Sequence, residues 1–92
     1  MIKSVIISRR AIKDLSKVPW FILDKFEVWV KQVENFGLEK VKIIPGYHDE
    51  PLQGKRLGQR SIRLNLSYRV IYLIEKNEIQ ALTVLEVNKH EY

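Results

Sequence analysis

The segment of residues 50–72 restricts the possible folds of this 92-residue chain more than any other part of it. Apolar residues recur there at the alternating spacing of β-strands, and between Pro51 and Ile74 the chain contains five cations and no acid. The cations are Lys55, Arg56, Arg60, Arg63 and Arg69. Clustered like charges repel each other unless an anion or solvent screens them. The segment therefore predicts a cationic sheet and indicates a polyanionic partner.

The composition excludes several classes of protein. With 46% apolar and 29% charged residues, we expect a single globular domain over residues 1–92, and not a disordered or fibrous chain. The net charge of +5 favours nucleic acid, an anionic surface or an acidic protein as the partner. The absence of cysteine excludes disulfides and thiolate metal sites, and the apolar runs are far shorter than the roughly 20 residues of a membrane span. We expect a soluble, cytoplasmic protein with no membrane association and no cofactor.

The N-terminal half predicts a strand followed by two helices. Residues 3–7 are rich in β-branched side chains, and Ser8 can cap a helix that begins at Arg9. The apolar stripe of that helix consists of Ala11, Ile12, Leu15 and Val18. Pro19 ends the first helix and suits the first turn of a second, longer one.

The second helix has a continuous apolar seam. Its members follow one another at steps of four and three residues, and they are Ile22, Phe26, Trp29, Val33 and Phe36. Trp20, Phe21 and Leu23 widen the stripe and are expected to close the helix pair. Gly37 fits the left-handed position just past the helix end, and a short helical turn is expected within residues 38–44.

The C-terminal half predicts an antiparallel meander after a polar loop at residues 47–50. Three strands are expected at about residues 60–64, 68–74 and 79–87, with reversals at 65–67 and 76–77. The last strand is apolar on both sides, so it should lie inside the sheet or beneath a partner. These elements predict an α+β fold. An N-terminal strand joins a twisted, mainly antiparallel four-stranded sheet, and two antiparallel helices pack on one face.

The polar segments contain groups suited to acid–base chemistry. His48 stands in the loop before the sheet, and His90 and Tyr92 stand at the end of the chain. A last strand that returns beside the middle of the sheet would bring the terminal pair toward the arginines. Metal-independent RNA cleavage needs such a set: a base for the ribose 2′-hydroxyl, cations around the phosphate, and an acid for the 5′-oxygen.

Each role in that reaction has more than one candidate. Glu50 or His48 could be the base, His90 the acid, and Arg63 or Arg69 the charge clamp. Among many cations a glutamate stays ionised and is a poorer base, whereas a neutral histidine titrates nearer physiological pH. The catalytic pair could therefore also be one of the histidines with Glu50 orienting it.

Structural roles are also open for these residues. Glu50, beside a turn proline, could pair with Arg56 or cap a backbone group, and Arg69 could be an ordinary charge on a solvated sheet face. His90 could belong to a frayed terminus. Adjacent loop residues rarely all face one ion, so no metal site is predicted at residues 48–50.

Four short motifs stand in a fixed order along the chain. They are Glu50-Pro-Leu-x-Gly54, Arg60-Ser-Ile-Arg63, Tyr68-Arg-Val-Ile-Tyr72 and the terminal Lys89-His-x-Tyr92. Together with the order of strand, helices and basic meander, they resemble the RelE/ParE superfamily of type II toxins. The resemblance covers essentially the whole chain and is closest to the ribosome-dependent mRNA endonucleases of the RelE, YoeB and HigB type. It implies a RelE-like fold.

The resemblance implies roles for individual residues. Glu50 matches the position of an acidic catalytic residue thought to act as the base, and Arg69 matches an arginine that stabilises the phosphate. His90 and Tyr92 resemble the family's C-terminal histidine and tyrosine, which are often adjacent there, whereas Glu91 separates them here. The basic positions that would hold ribosomal RNA and the mRNA backbone are Lys55, Arg56 and Arg60.

The resemblance also implies partners and a function. The function is inhibition of translation by cleavage of mRNA on the ribosome through attack of the 2′-hydroxyl. The partners are the ribosome and a cognate antitoxin, with which the toxin would form a hetero-oligomer. A basic face and an apolar last strand would suit an acidic, amphipathic antitoxin segment. Two other functions are open: a ParE-like toxin that binds DNA gyrase without RNA chemistry, and a small basic module that binds nucleic acid passively.

Overall fold

One mixed sheet forms the centre of the molecule, which a computed structural model describes for residues 1–75 and 81–89. In chain order the elements are β1 (Ser4–Ile7), α1 (Arg9–Leu15), α2 (Trp20–Phe36), α3 (Leu38–Val41), β2 (Glu50–Pro51), β3 (Gln59–Arg63), β4 (Tyr68–Ile74) and β5 (Ala81–Lys89). Two 3₁₀ turns, Pro45–Tyr47 and Gly54–Arg56, lie before and after β2. The α+β class and the short helical turn after Gly37 are confirmed.

The strands lie in the order β1-β5-β4-β3-β2. β1 pairs with β5 in parallel and the remaining pairs are antiparallel, so the N-terminal strand joins a mainly antiparallel sheet as predicted. The position expected for the last strand is confirmed, because β5 lies between β1 and β4. Burial inside the sheet explains why both of its sides are largely apolar.

The sheet has five strands where the sequence predicted four, because β2 adds a short edge strand. The sequence interpretation placed Glu50 in a loop, whereas it pairs with Ser61 of β3. Pro51, opposite Arg60, has no N–H to donate to a further strand, and proline within sheets is confined to edges. This explains both the shortness of β2 and its position at the edge of the sheet.

α1 covers the part of β5 that extends beyond β1. Ser8 caps the helix as predicted: its Oγ accepts the N–H of Ala11 at 3.1 Å and donates to the carbonyl of Leu85 at 2.9 Å. Asp14 Oδ2 accepts the N–H of Val87 at 3.0 Å. These side chains pair backbone groups of β5 that β1 does not reach.

α2 supplies the centre of the core. The seam residues Ile22, Phe26, Trp29 and Val33 are buried, as predicted. Phe36 is 57% exposed, contrary to prediction, because it is the last helical residue and the chain turns away at Gly37, whose φ is +87°.

The first turn of α2 is more exposed than the sequence predicted. Trp20 and Phe21 are 75% and 46% exposed, so the prediction that they close a helix pair is wrong. At roughly 100° per residue they point away from the seam that begins at Ile22, and their rings instead contact each other edge to face at 5.8 Å between centroids. Among residues 1–75 and 81–89, no helix has the length and apolar character that a membrane crossing requires.

Candidate functional site

The two faces of the sheet have different environments. Tyr72 contacts Trp29 of α2, with 5.6 Å between ring centroids, so its side of the sheet is the one that α2 covers. Its neighbours in β4 point to the other side, which we call the open face, because successive side chains of a strand alternate. Directly paired residues share a face, so the register determines which side chains of the other strands lie on the open face.

One row of the open face crosses four strands. Glu50 pairs with Ser61, Ser61 with Ile71, and Ile71 with Glu86. The first and last members are separated by three strand spacings, about 14 Å. Glu50, at the edge, is exposed, whereas Glu86, in the centre, is buried. The two carboxylates therefore have different environments on the same surface.

The next row contains two arginines. Arg63 of β3 lies directly opposite Arg69 of β4, and Arg69 lies opposite Asn88 of β5. Residues so paired have Cβ atoms about 5 Å apart, and like charges in this position are destabilising. Within the part of the chain that the structure describes, no carboxylate lies within ion-pair distance of either guanidinium. Within residues 1–75 and 81–89, the pair therefore has two guanidinium groups without a carboxylate partner, an arrangement suited to an anion.

Glu86 holds a second basic group on the open face. Its Oε1 accepts Arg56 Nη2 at 2.9 Å and Asn88 Nδ2 at 2.7 Å, and it lies 4.0 Å from Arg10 Nη2. Arg56 also donates from Nη1 to Gln59 Oε1 at 3.0 Å. The ion-pair partner of Arg56 is thus Glu86, and not Glu50 as one structural interpretation of the sequence suggested. Sequence reasoning missed Glu86, although an acid in an otherwise apolar strand was a usable signal.

A different network lies on the α2-covered face. The carboxylate of Asp49, whose side chain is 1% exposed, accepts Arg60 Nε at 2.7 Å and Tyr72 Oη at 2.5 Å. Burial raises the pKa of Tyr72, and the neighbouring carboxylate raises it further. Burial opposes the charged form of Arg60, but the hydrogen bond and charge of Asp49 outweigh it and raise the pKa of Arg60.

The segment before β2 turns sharply at His48. This exposed residue adopts a left-handed conformation (φ 47°, ψ 48°), the one positive φ of a non-glycine residue within the described ranges. Its N–H donates to the carbonyl of Pro45 at 3.1 Å, which closes the first 3₁₀ turn. Tyr47 Oη donates to Gln32 Oε1, which ties that turn to α2, and burial raises the pKa of Tyr47.

A groove of about 410 Å³ lies between α2, the first 3₁₀ turn and the end of β3. Val28, Ile44 and Leu64 form apolar parts of its lining, and Arg63 borders it. β2 pairs only with Arg60 and Ser61, so the edge of β3 beyond Ser61 has no partner strand among the described residues. Arg63 therefore lies at the boundary between the groove and the open face.

The structure brings together some of the site residues predicted from the sequence and separates others. Glu50, Arg63 and Arg69 share the open face, where Arg56 is held by Glu86. Lys55 is exposed in the second 3₁₀ turn, and His48 is exposed before β2. Arg60 lies on the opposite side of the sheet, bound to Asp49. His90 and Tyr92 lie outside the described residues. Within residues 1–75 and 81–89, no group of three or more potential metal ligands is found.

Solved structures of small toxins have the same fold. YafQ from E. coli has a TM-score of 0.75 and 18% identity, over 96% of this chain and 93% of that one. The RelE–RelB complex from Pyrococcus horikoshii OT3 has a TM-score of 0.71 and 22% identity, over 97% of this chain and 96% of that one. The RelBE2 toxin–antitoxin complex from Mycobacterium tuberculosis has a TM-score of 0.63 and 22% identity, over 98% of this chain and 100% of that one. The fold is therefore that of RelE-like proteins.

Comparison of the sequence with family models identifies the family of this chain. The chain belongs to the family described as ParE toxin of type II toxin–antitoxin system, parDE, whose model matches residues 5–91. It is thus a type II toxin with a RelE-like fold, which confirms the resemblance carried by its motifs. Comparison with curated proteins gives no significant match.

Proposed function

We propose that this toxin is a metal-independent endoribonuclease that cleaves mRNA on the ribosome. The observation that carries the proposal is the cross-strand pair of Arg63 and Arg69 on the same face of the sheet as Glu50. Two guanidinium groups and a carboxylate can supply two of the three functions that transesterification of an RNA phosphodiester requires, the stabilisation of phosphate charge and the base.

The register supports a division of roles. Glu50 pairs with Ser61 of β3. Arg63 follows Ser61 by two residues, so it lies on the same face and about 7 Å further along the strand than Ser61. A phosphate held between Arg63 and Arg69 would therefore lie within reach of a base at the edge of the sheet. Glu50 is the proposed base, with exposed His48 as the alternative. His90 is proposed as the acid for the 5′-oxygen, with Tyr92 beside it.

The open face supports a nucleic acid as the substrate. Arg56, oriented by Glu86, keeps 42% of its side chain exposed on the face that carries the arginine pair, and Lys55 is exposed in the same 3₁₀ turn. We propose that these residues hold the RNA backbone and that the ribosome presents the mRNA to them. Such contacts are electrostatic, so RNA affinity should fall steeply with salt.

A cognate antitoxin is the second proposed partner. The family is described as the toxin of a type II toxin–antitoxin system, and RelE from Pyrococcus horikoshii was solved in complex with RelB. An acidic segment that covers Arg63 and Arg69 would neutralise the repulsion between them and would exclude RNA from the same surface. We propose a toxin–antitoxin hetero-oligomer in which the toxin is inactive.

Inhibition of DNA gyrase is the second candidate function, and the family match itself favours it, because the matching model is that of ParE toxins. The test is to map RNA ends on a defined mRNA with and without programmed ribosomes. Cuts seen only with ribosomes, lost in Arg69→Ala and retained in Lys40→Ala, would support the endonuclease. The control removes one positive charge from exposed Lys40 of α3. No cuts from folded toxin, together with gyrase-linked DNA breaks in expressing cells, would support the rival.

A further inference from the structure

Glu50 belongs to a segment with few backbone attachments. β2 contains two residues, and the second is Pro51, which cannot donate a backbone hydrogen bond. Just beyond it, the N–H of Leu52 donates to the carbonyl of Gln59 at 2.9 Å. On its other side the segment begins at the left-handed turn of His48. Backbone pairing alone therefore gives little rigidity to the proposed base.

Asp49 supplies a side-chain anchor at this point. Its carboxylate is buried and is bound on one oxygen by Arg60 Nε and on the other by Tyr72 Oη. Tyr72 has no exposed surface and its ring contacts Trp29, so the anchor reaches the centre of the core. Both carboxylate oxygens are used, which fixes the orientation of the carboxylate as well as its position.

The anchor has a geometric effect on the next residue. Successive side chains of an extended segment point to opposite sides, so the inward position of Asp49 directs Glu50 outward. This agrees with the pairing of Glu50 with Ser61 on the open face. A rotation of the segment that moved Asp49 out of its site would turn Glu50 away from the arginine pair.

We infer that Asp49, Arg60 and Tyr72 form a positioning unit for Glu50, and that Arg60 serves this unit and is not a contact for RNA. The inference rests on the proposed function for the role of Glu50, but the anchoring itself is independent of that role. Arg60 Nε is bound to Asp49, and the Arg60 side chain is only 20% exposed. Arg69, in contrast, is paired with no carboxylate in the described part of the chain.

The first test removes one hydroxyl from the unit. Tyr72→Phe keeps the ring against Trp29, and Tyr68→Phe is the matched control, four residues earlier on the same strand. We expect amide exchange of Leu52 and its neighbours in residues 48–52 to become about tenfold faster in Tyr72→Phe and to stay unchanged in the control. In the ribosome assay, kcat should fall about 10- to 100-fold while KM stays within about twofold. A smaller folded fraction would also lower the apparent kcat without changing KM, so kcat is expressed per folded toxin, with the folded fraction of each variant measured by urea unfolding.

The second test asks whether Arg60 contacts RNA. Changing only one charge of a buried pair would leave the other uncompensated, so both are changed together as Asp49→Asn with Arg60→Gln. RNA binding by this variant should show the same slope of log K against log salt as the unchanged toxin, whereas Arg69→Gln should reduce the slope by about 1. A reduced slope in the double variant would overturn the assignment of Arg60.

The outcomes separate this inference from the proposed function. Faster exchange in Tyr72→Phe, with no RNA cleavage by the unchanged toxin, would overturn the endonuclease and leave the anchoring supported. Cleavage by the unchanged toxin, with exchange and kcat in Tyr72→Phe equal to those of Tyr68→Phe, would overturn the positioning unit and leave the endonuclease supported.

Discussion

Arg63 and Arg69 lie directly opposite each other on neighbouring antiparallel strands, with no carboxylate of the described residues in ion-pair contact with either. Like charges directly opposite each other destabilise a sheet. A cost of this kind is expected at a binding surface, because an anion that bridges the two guanidinium groups removes it.

Replacing Arg69 should separate activity from stability. We expect Arg69→Ala to reduce RNA cleavage at least about 100-fold, the usual effect of removing a group that stabilises charge in the transition state. The free energy of unfolding should stay the same or rise by less than about 0.5 kcal/mol, because the variant removes a like-charge contact. Cleavage rates and urea unfolding measure the two effects. A large loss of stability with intact cleavage would contradict the role proposed for Arg69.

The products should reveal attack by the 2′-hydroxyl. We expect a 2′,3′-cyclic phosphate on the upstream fragment and a 5′-hydroxyl on the downstream one, detectable by direct labelling of the new 5′ end with polynucleotide kinase. An mRNA with a single 2′-deoxynucleotide on the 5′ side of the cut should resist cleavage there and be cut normally at other sites. A 5′-phosphate end, or cleavage at the deoxy site, would contradict the mechanism.

Glu86 should contribute to stability through the groups that it binds. Glu86→Ala removes the acceptor of Arg56 and Asn88 from a buried position. We expect a loss of about 1–3 kcal/mol, at the lower end because Arg56 is partly exposed and water can replace the carboxylate. Glu34→Ala, on an exposed position of α2, is the control and should change the free energy of unfolding by less than about 0.5 kcal/mol. Equal losses of unfolding free energy in the two variants, measured by urea unfolding, would contradict the stabilising role of Glu86.

Stability should fall at alkaline pH because of Tyr72. Its pKa is raised in the folded protein by burial and by Asp49, so the folded state retains the phenolic proton after the unfolded state has lost it. This contribution is fully present below the unfolded pKa of about 10 and decreases as the pH rises above it. Tyr72→Phe should therefore lose less of its free energy of unfolding than the unchanged toxin between about pH 10 and 11.5. Parallel curves for the two proteins would show that Tyr72 is not the group responsible.

Periodicity predicted the elements of the fold well. The seam from Ile22 to Val33 and the two-sided apolar character of β5 report burial directly, and burial is what arranges helices and strands into layers. The prediction was wrong for Phe36 and Trp20, which have the right chemistry but lie at the two ends of α2, where the helix has less structure to pack against.

The candidate site was less predictable, because its contacts join residues that are distant in sequence. Alternation that places Ile62 and Leu64 in the core also places Arg60 on that side, and a largely buried arginine requires an acidic partner. That signal was present, but it could not identify Asp49 without the register of β2 on β3. Glu86 was missed for the same reason, since Arg56 reaches it from a turn 30 positions away.

The parallel pairing of β1 with β5 has a consequence for how the toxin is made. Ser8, just past β1, donates a hydrogen bond to the carbonyl of Leu85, 77 positions further along the chain. β1 can therefore pair only after β5 has been synthesised. Contacts of such high sequence separation form late in folding, because the loop between them must be closed first. The hairpin of β3 and β4, which carries the arginine pair, joins residues close in sequence and is therefore expected to form before β1 pairs with β5.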